Sequence, residues 1–150
     1  MSRRTIKLAL LALIVLDIVF PVIIFGFPGL WNRLFHGGAG ADDPIGLLHR
    51  LGAGWAAFAL WQIVAYIKWE REPGWLAVVA GIRWTEIWAD WVYLYYAHEA
   101  GNATLIAWIG LGGASPVNAL AGWYFYRAYR YYKCKAPDAP PPPPGPARAV

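Results

Sequence analysis

Residues 7–27 read KLALLALIVLDIVFPVIIFGF. Past Lys7 the run stays apolar for about 20 residues, the length that carries a helix across roughly 30 Å of hydrocarbon at about 1.5 Å per residue. Its one ionisable side chain after Lys7 is Asp17. Backbone groups in lipid must find partners inside their own segment, so the run is expected to be a helix and not a strand. The basic start at Arg3, Arg4 and Lys7 also suits a signal peptide, but the apolar stretch is longer than a usual h-region and no small-x-small site follows it directly. Ala39-Gly40-Ala41 lies too far downstream, and the helix is expected to be retained.

Three further apolar stretches have similar length, so helices are expected near 7–27, 46–69, 75–96 and 104–131. Between them stand turn residues: Pro28-Gly29, the Gly-rich run 37–44, Pro73-Gly74 and Gly101-Asn102. The chain is 59% hydrophobic and 15% charged, against roughly a quarter charged in soluble domains, which points to lipid as the solvent. The expected fold is an all-α polytopic membrane four-helix bundle with short loops over 1–135, followed by a proline-rich extended tail over 136–150.

Charge placement sets an orientation. Arg3, Arg4 and Lys7, then Lys68 and Arg71, then Arg127, Arg130, Lys133 and Lys135 flank the expected helices on alternate sides, whereas the other two loops carry Arg33 alone. The positive-inside rule then puts both termini in the cytoplasm, in a bacterial inner membrane. Because the basic residues sit at the ends of apolar runs, they do not form a nucleic-acid patch. Trp31, Trp69, Trp75, Trp108, Tyr95, Tyr96 and the aromatic cluster over 123–132 fall near helix ends and read as interfacial belts.

Ionisable groups within a bilayer cost about 2.5–3.5 kcal/mol each at a helix centre, so Asp17, Arg50, Arg83, Glu86 and Asp90 are the candidate intramembrane polar cluster. At about 100° per residue, Arg83, Glu86 and Asp90 fall within about 60° of one another, with Trp84, Trp88 and Trp91 as a neighbouring stripe. Depth along the helices pairs Asp17 with Arg83 and Arg50 with Asp90, leaving Glu86 without an arginine. Two readings stand: the charges lock helix register, or they handle protons.

Pro21 and Pro116 each lack the N–H that would reach the carbonyl four residues back, freeing those of Asp17 and Gly112. A bent wall over 112–118 with Ser115 and Asn118 as polar handles is the candidate pocket, although its small residues equally suit close helix packing. The same duality holds for Gly52, Ala53, Gly54, Ala56 and Ala57. His49 is the candidate pigment or haem ligand. His36 and His98 lie with Asp42, Asp43 and Glu99 on the outer side, in no recognised metal spacing, and no metal is expected. Cys134 alone excludes a disulfide framework within one chain. There is no Gly-rich phosphate loop, hydrolase triad order or HExxH motif, and no catalytic residue is assigned.

The stretch Leu48-His49-Arg50-Leu51-Gly52 together with Gly81-Ile82-Arg83-Trp84-Thr85-Glu86 resembles small four-helix bacterial membrane proteins of a broadly DoxX-like kind. The resemblance covers helices two to four. It implies a membrane role, in some members as subunits of quinone-linked enzymes, and transfers no catalytic residue; the Trp-rich third helix and the proline tail depart from it.

Two functions follow as expectations. The first is a noncatalytic accessory or structural subunit of a larger bioenergetic membrane complex, photosynthetic or respiratory, meeting other subunits and lipids through aromatic and small-residue helix faces and the tail. The alternative is a small membrane enzyme or carrier acting on a quinone-like or lipid substrate through the charged face of helix three. Bound lipid, quinone or pigment is compatible with either.

Overall fold

The computed structural model describes residues 1–37 and 44–135. The expectations for the tail over 136–150 and for Asp42 and Asp43 lie outside the described residues, as does the side chain of His36. Among the described residues the chain is all-helical, without a strand.

Helix α1 (Arg3–Gly26) runs through Pro21 unbroken, with Pro21 itself buried. It stops at Phe27, whose backbone (φ −138°, ψ 55°) is forced out of the helical region by the following Pro28. Pro28 opens α2 (Pro28–His36) at a first-turn position, where its missing N–H costs nothing. Gly37, in the left-handed region at φ 64°, closes α2 by donating its N–H to Asn32 O. This short helix corrects the reading of the segment as a plain turn. Leu30, Trp31, Leu34 and Phe35 already held the i, i+1, i+4, i+5 spacing of one helical face.

Helices α3 (Pro44–Lys68) and α4 (Gly74–Glu99) follow. Helix α5 (Leu105–Lys133) starts under a Thr104 cap, whose Oγ1 accepts from the N–H of Ala107 at 3.0 Å. Its stretch Trp108–Gly112 is wound as a π-helix. The wide turn ends four residues before Pro116, which cannot donate to Gly112 O, so the distortion expected at the proline is spread into the preceding turn.

The long helices pack as two antiparallel pairs, α1 with α3 and α4 with α5, joined over a smaller α3–α4 contact. Small residues let the pairs close. A Cβ on Gly52 would stand 3.0 Å from Ile24 Cγ2 and 3.2 Å from Phe25 Cζ, so the small face of α3 is used inside the chain, against α1. A Cβ on Gly122 would collide with the Trp84 indole. One end of the bundle is filled by Ile6, Leu10, Trp69, Leu76, Val79 and Phe125, contributed by α1, α4, α5 and the α3–α4 turn. Ile24, Trp31, Leu48 and Trp55 fill the other. Trp31 and Trp69 are therefore core residues, 2% and 0% exposed, and not interfacial anchors. Trp31 stacks on Phe35 and Trp69 meets Tyr132 edge-on, so sequence position near a helix end did not mean a lipid-facing ring.

At the Trp69 end, Lys7 Nζ stands 2.9 Å and Arg3 Nη1 3.7 Å from the Glu70 carboxylate, and Tyr132 donates to Met1 O at 2.9 Å. The N-terminus, the α3–α4 turn and the end of α5 thus share one end. The hydrogen bond from Lys7 holds the Glu70 carboxyl below the ordinary glutamate range. By length and composition, α1 and α5 are apolar enough to cross a membrane.

Substituting Gly52→Leu is expected to cost about 1–3 kcal/mol through overpacking against Ile24 and Phe25. Gly54→Ala, where a Cβ meets nothing within 4 Å, should hold or raise the thermal midpoint, because alanine loses less backbone entropy in a helix than glycine. Melting both variants in detergent checks the pair; equal midpoints would mean that the α1–α3 approach is looser than described.

Candidate functional site

Asp17 and Arg83 are each 1% exposed, at mid-length of α1 and α4. Arg83 Nη2 donates to Asp17 Oδ2 at 2.5 Å, and Nη1 approaches Oδ1 at 3.5 Å. Gln62 of α3 donates through Nε2 to the same Asp17 Oδ2 at 2.6 Å. Arg83 Nη1 also stands 2.7 Å from Glu86 Oε2, one turn further along α4. That second contact is Coulombic, because Glu86 Oε2 accepts no aligned hydrogen bond among the described residues. Three helices are thereby tied to one guanidinium. The expected Asp17–Arg83 pair is present, but Glu86 is not without an arginine: the three-residue step on one helix face brings it within reach of the cation already engaged by Asp17.

Beyond this node, between α2, α3 and α4, lies a cavity of about 410 Å³. Its walls are Trp31 and Phe35 from α2, Arg50, Leu51, Gly54, Trp55 and Phe58 from α3, Glu86, Ala89, Asp90 and Tyr93 from α4, and Leu111 from the π-turn. The spacings follow from helix geometry. Trp31 and Phe35 are one turn apart and roof the space, and Arg50, Gly54 and Phe58 recur every four residues down one stripe of α3. Glu86, Asp90 and Tyr93, at steps of four and three residues, share one face of α4. The roof is held down at its far end, where Thr104 Oγ1 donates to Leu34 O at 2.6 Å and the Tyr93 hydroxyl to Phe35 O at 3.5 Å. The volume and the mainly apolar lining, with a few ionisable groups converging on it, are those of a small-molecule site.

The expected Arg50–Asp90 pair is corrected. Both residues line the cavity, from α3 and α4, but no ion pair joins them, and Arg50 is exposed at the mouth. Ser115 and Asn118 are buried yet do not line the cavity; Ser115 Oγ bonds back to Leu111 O at 3.5 Å within its own helix. The pocket accordingly sits beside the π-turn and not at the proline. His49 packs against the Phe25 ring at 5.4 Å and does not face the cavity, while His98 lies edge-on to Trp108 at the surface. Among the described residues no three or more His, Cys, Asp or Glu side chains converge as metal ligands. Cys134 is exposed at the end of α5. Trp88 is turned to the surface beside the inward polar stripe, while half-exposed Trp84 and Trp91 lie over α5, against Gly122 and edge-on to Trp108.

Sequence reasoning missed Gln62 and the aromatic walls. Gln62 is the one amide in the apolar middle of α3, a signal that attention to charge alone passes over.

Replacing Arg83 with Met should destabilise the protein by about 3–5 kcal/mol, since Asp17 and Glu86 would both lose their buried cation. Asp17→Asn, which retains a hydrogen-bonding oxygen for Gln62 and Arg83, should cost less. Chemical unfolding in detergent micelles ranks the two; the reverse order would place the weight of the node elsewhere. Comparison of the chain with protein-family models, curated proteins and solved structures returned no match.

Proposed function

We propose that the chain is a four-span integral membrane protein with both termini in the cytoplasm, which holds a lipophilic small molecule in the cavity beneath α2 and acts as a carrier or binding protein for it. The observation that carries this reading is the cavity itself, an aromatic chamber with carboxylates on one wall and a mouth beside Arg50.

The membrane setting is supported by an inside-out distribution of polarity. Asp17, Gln62, Arg83 and Glu86 are buried, while Leu8, Val15, Val22, Leu60, Ile67, Val92, Ile109 and Leu120 are exposed. Such a surface is costly in water and suits hydrocarbon. Helices α3 and α4 carry Gln62, Arg83 and Glu86 within their length, and all three are buried in the bundle. Basic residues gather at the end shared by Arg3, Lys7 and Arg71, which supports N-in and C-in insertion. Thiol labelling is expected to modify a cysteine at Asn102 in intact cells, and Cys134 only after permeabilisation; the opposite pattern would invert the topology.

An accessory-subunit role is favoured by one specific observation. Trp88 lies midway along α4 and is 75% exposed. An indole at mid-depth is away from the headgroups that satisfy its N–H, so a neighbouring protein helix is its natural cover.

One purification tests both readings. The protein is taken from its native membrane in mild detergent, and the size-exclusion peak is analysed by mass spectrometry for bound small molecules and for proteins. Wild type should carry a lipophilic molecule that Gly54→Phe lacks, because the added ring grows into the cavity. Equal ligand content in both would defeat the cavity reading, and stoichiometric partner proteins would establish the second.

A further inference from the structure

The cavity has an unbalanced charge. Asp17, Glu86 and Asp90 lie in or next to its inner wall, against Arg83, which is already shared between Asp17 and Glu86. Of the described residues that line the cavity itself, Glu86 and Asp90 are acidic, and exposed Arg50 at the mouth is the one cation. Glu86 is 6% exposed, faces the cavity and has an oxygen without an aligned donor, and Asp90, one turn beyond it, makes no ion pair among the described residues. Glu86 shares its one cation with Asp17 and half-buried Asp90 has none of its own among the described residues, so a positive charge entering the chamber would be drawn to these two carboxylates.

The remaining walls say which kind. Two carboxylates in an apolar chamber fall short of the six or more oxygens that a calcium ion takes, and the apolar rings cannot replace a metal's water shell. Trp31, Trp55, Phe58 and Tyr93 instead offer π-faces and apolar area, which attract a weakly hydrated organic cation and bury its hydrocarbon body. An anion would be repelled by the two carboxylates, and a neutral guest would gain nothing from them.

Resting on the ligand-binding reading above, we infer that the cavity takes a lipophilic organic cation. Its ammonium-type charge stands at Glu86 and Asp90, and its ring or alkyl body lies between α2 and α3 against Trp31, Trp55 and Phe58.

The test uses the full chain in nanodiscs, with empty nanodiscs as the blank, and equilibrium dialysis of two radiolabelled probes. One is 2-phenylethyltrimethylammonium; the other is its neutral isostere, in which a tert-butyl group replaces the trimethylammonium. The cation is expected to bind saturably and about ten-fold or more tighter than the isostere. Asp90→Asn should remove most of that preference without changing isostere binding. Equal binding of the two probes would overturn the cation inference and leave the cavity reading standing. No saturable binding of either would overturn both. An unchanged preference in a folded Asp90→Asn protein would also overturn the carboxylate assignment. The probe comparison on wild type decides the matter if that variant fails to fold.

Discussion

Arg83 is where two helix pairs become one bundle. Helices α1 and α3 close on each other through Gly52, and α4 and α5 through Gly122, but the pairs meet over a narrow seam. Across that seam a single guanidinium reaches Asp17 on α1 and Glu86 on its own helix, while Gln62 on α3 completes Asp17. Fork geometry is what allows this. A lysine would present one point of charge, whereas the guanidinium donates from Nη2 to Asp17 while Nη1 stands beside Glu86. In surroundings without water each carboxylate needs that partner, so the node sets the register between the pairs as well as contributing energy.

The cavity is a consequence of the same seam. Away from the node, toward the Trp69 end, the helices are sealed by well-packed aliphatic and aromatic side chains. Toward the other end, α2 spans the gap and is held by Thr104 and Tyr93 to the opposite pair. A roof anchored to both pairs keeps the space beneath it from collapsing. The π-turn on α5 contributes Leu111 to that space, at a point where the proline that follows already denies the helix a regular hydrogen bond.

Burial of the charges and exposure of the aliphatic side chains have one physical origin in the proposed membrane setting. Lipid does not reward hydrophobic burial between helices, so the interior is specified by small-residue contact and polar bonding, and the surface is left apolar. The exposed indole of Trp88 is where the proposed accessory role would seat another protein.

Much of this was legible in the chain itself. Four long helices, the inward stripe of Arg83, Glu86 and Asp90, and the Asp17–Arg83 pair all follow from run length and a 3.6-residue period, which are local properties. Which acid claims a shared arginine is not local. Glu86 reaches Arg83 because they are three residues apart on one face, while Arg50 and Asp90 line one cavity from α3 and α4 without joining in an ion pair. The roof was written in the spacing of Trp31 and Phe35, yet a ring near a helix end reads equally as an anchor or as core. The position of the cavity, beside the π-turn instead of around Ser115 and Asn118, depended on which side chains of α2, α3, α4 and α5 came together. Sequence determined the helices and the sign of the charge they carry inward; only tertiary packing decided which side chains share a space, because that depends on distances between segments that no local period encodes.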